Sequence, residues 1–206
     1  MAAFFSNLRN TVIAGFGLAF VLFLIYLART EFNGAIFWPF LVRWLHIGSG
    51  VMWIGLLWYF NFVQTPTMPR IPDELKGAVS RFIAPSALFW FRWAAMATII
   101  FGILLALIYP GNYLVNAYTL DLLEGLIDLK MILIGIGMWL GSIMWFNVWF
   151  VIWPNQQKAL NIGNAYPDLP AEQKQQAART AGMFSRINTM LSIPMLFCMV
   201  AGPHLA

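Results

Sequence analysis

Five long apolar stretches, with few charged residues inside them, constrain this chain more than any other feature of its sequence. A helix needs about 20 mostly apolar residues to cross a bilayer, and each stretch is about that long or longer. The sequence therefore predicts an all-α integral membrane protein, a single domain with five transmembrane helices. Their expected ranges are residues 11–29, 36–63, 82–109, 129–153 and 185–204.

The composition supports a membrane protein and argues against several soluble classes. Apolar residues make up 61% of the 206 residues and charged residues 10%, whereas a soluble domain is about 25% charged. The net charge of +4 does not indicate a nucleic-acid-binding protein, because the basic residues are scattered and basic cytoplasmic loops give the same total. The single cysteine, Cys198, excludes an internal disulfide. We expect contact with the lipid bilayer and no nucleic-acid partner.

The distribution of Lys and Arg predicts the orientation, because positive residues concentrate in cytoplasmic loops. Arg9 lies in the N-terminal tail, and most other basic residues lie in the connections after the second and fourth stretches. The N-terminus should therefore be cytoplasmic and the C-terminus outside, in the inner membrane of a bacterium. The basic residues of these connections are Arg70, Lys76, Arg81, Lys158, Lys174 and Arg179.

The same two connections and the fourth stretch carry local structural signals. Residues 65–72 hold three prolines, too many for a regular helix, whereas residues 168–179 have a helix-forming composition. Gly137 and Gly141 form a Gly-x-x-x-Gly pair, which favours close approach to another helix. Asn147 and Arg186 are expected near the cytoplasmic ends of two helices, where they could hydrogen-bond to one another's helices.

The second stretch contains the main candidate for a chemical site. Arg43, His46, Gly50 and Trp53 are three, four and three residues apart, which places them on one helical face. A histidine ligand, a small neighbour and an arginine for a propionate suit a b-type haem. The pattern also fits a structural role, in which His46 hydrogen-bonds to another helix and Arg43 extends its charge towards the interface.

A haem that only transfers electrons usually needs a second axial ligand from another helix. The fifth stretch offers Met195 and Met199, and the only other histidine is His204. Each of these residues also suits ordinary packing, and the same set could hold copper, because thioether and imidazole are copper ligands. The sequence leaves the sixth ligand open.

Other ionisable residues lie near or within the apolar stretches, where they are candidates for function. Asp128 and Lys130 open the fourth helix and are candidate catalytic residues, and Glu124 with Asp128 could relay protons. The alternative is an exposed helix start, where acidic groups favour the helix dipole. Arg92, inside the third stretch, needs an anionic partner or a route to the interface.

Three segments of the chain form a recognisable pattern. They are Arg43-Trp44-Leu45-His46-Ile47 with Met52-Trp53-Ile54-Gly55, Asn147-Val148-Trp149-Phe150-Val151-Ile152-Trp153-Pro154-Asn155-Gln156, and Ser192-Ile193-Pro194-Met195-Leu196-Phe197. Their order and spacing resemble the urate oxidase N-terminal family, the membrane domain of cytochrome c-linked bacterial urate oxidases. The resemblance covers most of the chain from Ile36 onward.

The chain departs from that family in ways that bear on function. It has no Cys-x-x-Cys-His motif, and its segments 89–93 and 185–188 lack the histidines of the family pattern. We therefore expect a stand-alone relative with a role other than urate oxidation. A weaker pattern consists of Leu45-His46-Ile47 with Trp53 and Gly55, followed by Leu129-Lys130-Met131-Ile132-Leu133. It resembles the small haem-binding protoporphyrinogen oxidases of bacterial membranes. That resemblance implies that His46 is a haem ligand and that Lys130 is functionally important.

These observations favour a membrane-embedded redox protein that holds haem b, either an electron carrier or the membrane part of an oxidase, with a cytochrome c as a candidate partner. The alternative is a non-catalytic accessory subunit of a larger membrane complex or of a homo-oligomer. A small-solute carrier is the least favoured function, because such folds often contain inverted repeats and the sequence shows none.

Overall fold

The computed structural model of the chain describes residues 2–122 and 128–205, and every regular element in those ranges is a helix. Five helical stretches are long and apolar enough to cross a membrane: Leu8–Arg29, Gly34–Arg70, Asp73–Ile108, Leu129–Leu160 and Ala171–His204. This confirms the predicted all-α architecture with five long apolar helices, and it suggests a multi-pass membrane protein in contact with lipid.

The α-helices are numbered in chain order. They are α1 (Ala2–Phe5), α2 (Leu8–Arg29), α3 (Gly34–Trp58), α4 (Thr65–Thr67), α5 (Asp73–Ala78), α6 (Ala84–Ile108), α7 (Tyr113–Tyr118), α8 (Leu129–Phe146), α9 (Trp153–Leu160) and α10 (Ala171–Leu205). Short 3₁₀ turns cover Met68–Arg70 and Ile162–Asn164, and π-helical segments cover Tyr59–Gln64, Val79–Ile83 and Asn147–Ile152.

The chain divides into two compact units, Met1–Phe40 and Leu41–Ala206. In the first unit, Asn7 caps α2, because its side-chain oxygen accepts a hydrogen bond from the backbone N–H of Arg9 at 3.0 Å. Phe23 stacks against Phe37, with ring centroids 4.9 Å apart. No residue of α2 is buried, so this apolar helix presents a surface suited to lipid.

The second unit contains the hydrophobic core, which forms where α3, α6, α8 and α10 contribute apolar side chains. The α10 helix packs against α8 and α9, and α7 packs against α8. Such close packing is needed because helices in lipid gain little from the hydrophobic effect and associate through packing and hydrogen bonds. The largest fully buried apolar side chains are Trp53, Leu57, Leu88, Met144, Val148 and Ile152.

Each of the three π-helical segments ends two residues before a proline: Pro66, Pro85 or Pro154. A proline lacks an N–H group, and its ring clashes with the carbonyl four residues earlier in an α-helix. In all three cases that carbonyl belongs to the π-helical segment. The wider turn moves the carbonyl away from the ring, so the helix continues through a proline that would otherwise break it.

These widened turns explain where the helices differ from the sequence-based ranges. Helical turns continue from α3 through Arg70, although residues 65–72 were expected to form an irregular loop. The prolines there stand at the beginnings of α4 and of the 3₁₀ turn, where a missing N–H costs nothing. The helix-forming character of residues 168–179 is confirmed, since α10 begins at Ala171 and continues into the fifth span.

Two glycines of α8 allow other helices to approach closely, and one of them belongs to the Gly-x-x-x-Gly pair. A Cβ atom on Gly137 would lie 3.2 Å from Cβ of Cys198 in α10, whereas one on Gly141 would meet nothing within 4 Å. The closest approach is at Gly135, where a Cβ atom would collide with the backbone carbonyl oxygen of Ala117 in α7. The expectation is therefore confirmed for Gly137 and wrong for Gly141.

Candidate functional site around His46

His46 of α3 is fixed against α6 by a hydrogen bond and by a close contact. Its Nδ1 atom lies 2.8 Å from the carbonyl oxygen of Thr98, and a carbonyl only accepts, so Nδ1 must carry the proton. In a neutral imidazole, Nε2 is then left as an acceptor or metal ligand. A Cβ atom on Gly102 would lie 3.0 Å from Cε1 of His46, so any larger residue at this position would require the ring to shift.

Arg43, His46, Gly50 and Trp53 share one face of α3, which we call the α3 stripe. Gly50 and Trp53 follow His46 along it. A Cβ atom on Gly50 would be 3.8 Å from the Cγ2 methyl of Thr98, which is ordinary van der Waals contact. Trp53 is buried in the core, and its indole N–H has no hydrogen-bond partner among the described residues. Gly50 of α3 therefore faces Thr98 of α6, the residue whose carbonyl oxygen lies beside the His46 ring.

Arg43 opens the stripe and pairs with a phenol. Its guanidinium donates to the hydroxyl of Tyr109, at the end of α6, and its Cζ atom lies 5.9 Å from the Tyr109 ring centroid. The ring of Tyr109 packs against that of Tyr113, with centroids 5.0 Å apart. Arg43 is itself exposed, so its remaining N–H groups are accessible to an anionic group.

The phenol of Tyr113 is affected by the charge of Arg43 and by that of Asp128 at the start of α8. Burial raises the pKa of the Tyr113 phenol, the positive charge of Arg43 lowers it, and the charge of Asp128 raises it. Burial is the largest of these effects. The phenol therefore stays protonated and can act as a hydrogen-bond donor beside Arg43 at neutral pH.

The residues considered as a second axial ligand lie on α10. Met195 belongs to the buried core, and the Cε atom of Met199 would be 3.2 Å from a Cβ atom on Gly137 of α8. His204 is exposed, and its Nδ1 lies 2.8 Å from the carbonyl oxygen of Val200. A carbonyl oxygen only accepts, so Nδ1 of His204 donates this hydrogen bond within α10.

Asp128 and Lys130 occupy the exposed beginning of α8. A side-chain oxygen of Asp128 accepts a hydrogen bond from the backbone N–H of Lys130 at 2.9 Å, which makes Asp128 the N-cap of the helix. Both side chains are exposed. The structure therefore gives Asp128 a capping role, and Glu124, its expected partner in a proton relay, lies outside the described residues.

Comparisons of the chain with protein-family models, curated proteins and solved structures find no match.

The positive charge of Arg92 in α6 lies against indole rings. The sequence alone does not indicate these partners. Its Cζ atom lies 3.6 Å from the ring centroid of Trp153 and 5.2 Å from that of Trp149. The negative faces of these rings stabilise the positive charge in place of a carboxylate. The two tryptophans are four residues apart in the chain, but that spacing does not indicate that they face Arg92.

Polar side chains join α3, and α8 with its π-helical continuation, to α10. Asn147 donates to the side-chain oxygen of Asn188 at 2.8 Å, and Asn188 donates to the carbonyl of Met144 at 2.9 Å. Trp58 donates to the hydroxyl of Ser192 at 2.9 Å. Asn147 thus bonds to the fifth apolar helix as expected, but through Asn188 and not Arg186.

Proposed function

We propose that this protein is a membrane-embedded redox protein that holds haem b through His46. The observation that carries the proposal is the hydrogen bond between Nδ1 of His46 and the Thr98 carbonyl. Axial and metal-binding histidines commonly donate one ring N–H to a backbone carbonyl, which fixes the tautomer and orients the other nitrogen. His46 has that arrangement.

The residues around His46 fit a haem in two further respects. Arg43 is exposed and donates a hydrogen bond to the hydroxyl of Tyr109, and no carboxylate pairs with it in the part of the chain that the structure describes, so its charge is available to a propionate. Met199, Met195 or His204 would supply the sixth ligand, or the position would stay open to a small substrate. A bound haem would supply one-electron transfer, and its partner would be an electron carrier such as a cytochrome c.

We propose the cytoplasmic membrane of a bacterium as the location, with the N-terminus inside. The five apolar helical stretches and the positions of Lys and Arg along the chain support this orientation. His46 would then lie in a helix that runs inward, with Arg43 nearer to the outer surface.

The two histidines of the chain provide a matched test of the ligand. The full chain is expressed with added haem precursor, purified, and examined by absorption spectroscopy and the pyridine haemochrome assay. We expect a Soret band and b-type peaks from the unmodified protein, loss of most of the signal in His46→Ala, and retention of bound haem in His204→Ala. Full haem content in His46→Ala would show that the ligand is another residue.

A non-catalytic accessory subunit is the second candidate, and one observation favours it. The His46 ring already packs against Gly102 of α6, where a Cβ atom would lie 3.0 Å from the ring. Under this alternative the hydrogen bond to Thr98 only joins α3 to α6. The unmodified protein would then be colourless after expression with haem precursor, and His46→Ala would lower thermal stability without a spectral change.

A further inference from the structure

An open groove of about 720 Å³ runs along one face of α10, far along the chain from His46. Eight of its lining residues belong to α10 and recur every three or four positions, which places them on one helical face. The opposite wall includes Thr65 of α4. The α10 residues are Gln175, Ala178, Arg179, Gly182, Met183, Arg186, Ile187 and Met190.

The groove is polar at the end nearer the start of α10 and apolar beyond Arg186. Gln175 and Arg179 line the end nearer the start of α10, and Ile187 and Met190 line the other end. The side chain of Met190 is 63% exposed, although it lies in a helix apolar enough to span a membrane. A binding partner that matches this surface needs a polar group at one end and a hydrocarbon segment at the other.

The charge on the groove is positive and has no acidic counterpart among the residues that line it. Arg179 and Arg186 are both exposed, and no ion pair within the described residues involves either of them. They are seven residues apart, or about 10 Å along the helix. Two guanidinium groups on one face form an anion-binding arrangement, because arginine matches the geometry of phosphate oxygens.

Gly182 lies between the two arginines and keeps the groove open. A Cβ atom added to Gly182 would meet nothing within 4 Å. The space beside the α10 backbone at this point is therefore accessible to a ligand, and a larger side chain would occupy that space without colliding with the protein.

We propose that this groove binds an acidic membrane phospholipid. The phosphate lies at Arg179 and Arg186, and one acyl chain lies along Met183, Ile187 and Met190. Basic pockets beside transmembrane helices recognise acidic head groups in this way. The positive charge favours a lipid over an apolar protein partner, and the lipid is present wherever α10 is embedded. This proposal does not depend on haem at His46.

The test uses the full chain in mild detergent with phosphatidylglycerol or phosphatidylcholine added, and native mass spectrometry to measure bound lipid. We expect the unmodified protein to retain phosphatidylglycerol preferentially. Arg179→Gln with Arg186→Gln should weaken that binding about 30-fold, since each basic residue contributes about fivefold. The control, Arg70→Gln with Arg81→Gln, removes two positive charges that do not line the groove and should bind as the unmodified protein does.

A second variant tests whether the open space beside Gly182 is needed, and it keeps both Arg179 and Arg186. Gly182→Leu should reduce the binding of both lipids, because its side chain fills the groove. Equal retention of the two lipids by the unmodified protein, or unchanged phosphatidylglycerol binding in the arginine variant, would overturn the proposal. A lipid-independent dimer that Gly182→Leu abolishes would also overturn it, because the groove would then belong to a second copy of this chain.

Discussion

The guanidinium of Arg92 lies over the indole ring of Trp153, with its Cζ atom 3.6 Å from the ring centroid. This contact lets an apolar helix carry an arginine without a carboxylate. The Nε atom of Arg92 has no hydrogen-bond partner among the described residues, so the aromatic faces are its principal stabilising contact. The pair joins α6 to the start of α9.

A double-mutant cycle on Arg92 and Trp153 should show coupling between the two side chains. Arg92→Met and Trp153→Leu are each expected to lower the free energy of unfolding, and the double variant should lose about 2 kcal/mol less than the sum, the strength of a desolvated cation–π contact. Thermal unfolding in detergent measures all three variants. Strictly additive losses would show that the contact contributes nothing.

The hydrogen bond between the side-chain amides of Asn147 and Asn188 gives a second prediction. Asn188 is fully buried, and Asn188→Leu leaves the amide N–H of Asn147 without its acceptor. We expect a loss of about 1–3 kcal/mol, the cost of an unsatisfied buried group. Asn155→Leu is the control, because Asn155 bonds within its own helix, to the carbonyl of Val151. Similar unfolding midpoints for the two variants would argue against the pair as a link between helices.

Two glycines near His46 differ in the space beside them, and this difference can be tested. A Cβ atom on Gly102 would lie 3.0 Å from the His46 ring, whereas one on Gly50 would lie 3.8 Å from a Thr98 methyl. Gly102→Ala should displace the imidazole and cost about 1–3 kcal/mol, as overpacking does, whereas Gly50→Ala should be tolerated. Thermal unfolding of both variants is the measurement. Equal stability of the two would mean that the ring moves freely.

The orientation of the chain can be tested with a reporter enzyme that is active only in the cytoplasm. Fused after Ala206, it should be inactive, because an odd number of spans places the two ends on opposite sides. Fused within the connection between α9 and α10, at Asp168, it should be active, because basic residues flank that connection. Activity at Ala206 would contradict either the orientation or the number of spans.

The five apolar helices could be predicted because hydropathy is a local property of the sequence. The helical turns after Gln64 could not, because the effect of a proline depends on whether the preceding turn can widen. The spacing of residues along the chain predicted which residues lie near His46 on its own helix. Its partners Thr98 and Gly102, and the indoles around Arg92, depend on which helices pack together, and helix spacing does not contain that information.

Each π-helical segment contains about one residue more than an α-helix of the same length needs. Side chains beyond it are therefore rotated by about 100°, the angle that one residue covers in an α-helix. Counting by threes and fours thus fails across Tyr59–Gln64, Val79–Ile83 and Asn147–Ile152. A related chain that lacked both the proline and one residue of a segment would keep the same faces in the core on either side. These three places are where we expect homologous helices to differ in length while their packing stays the same.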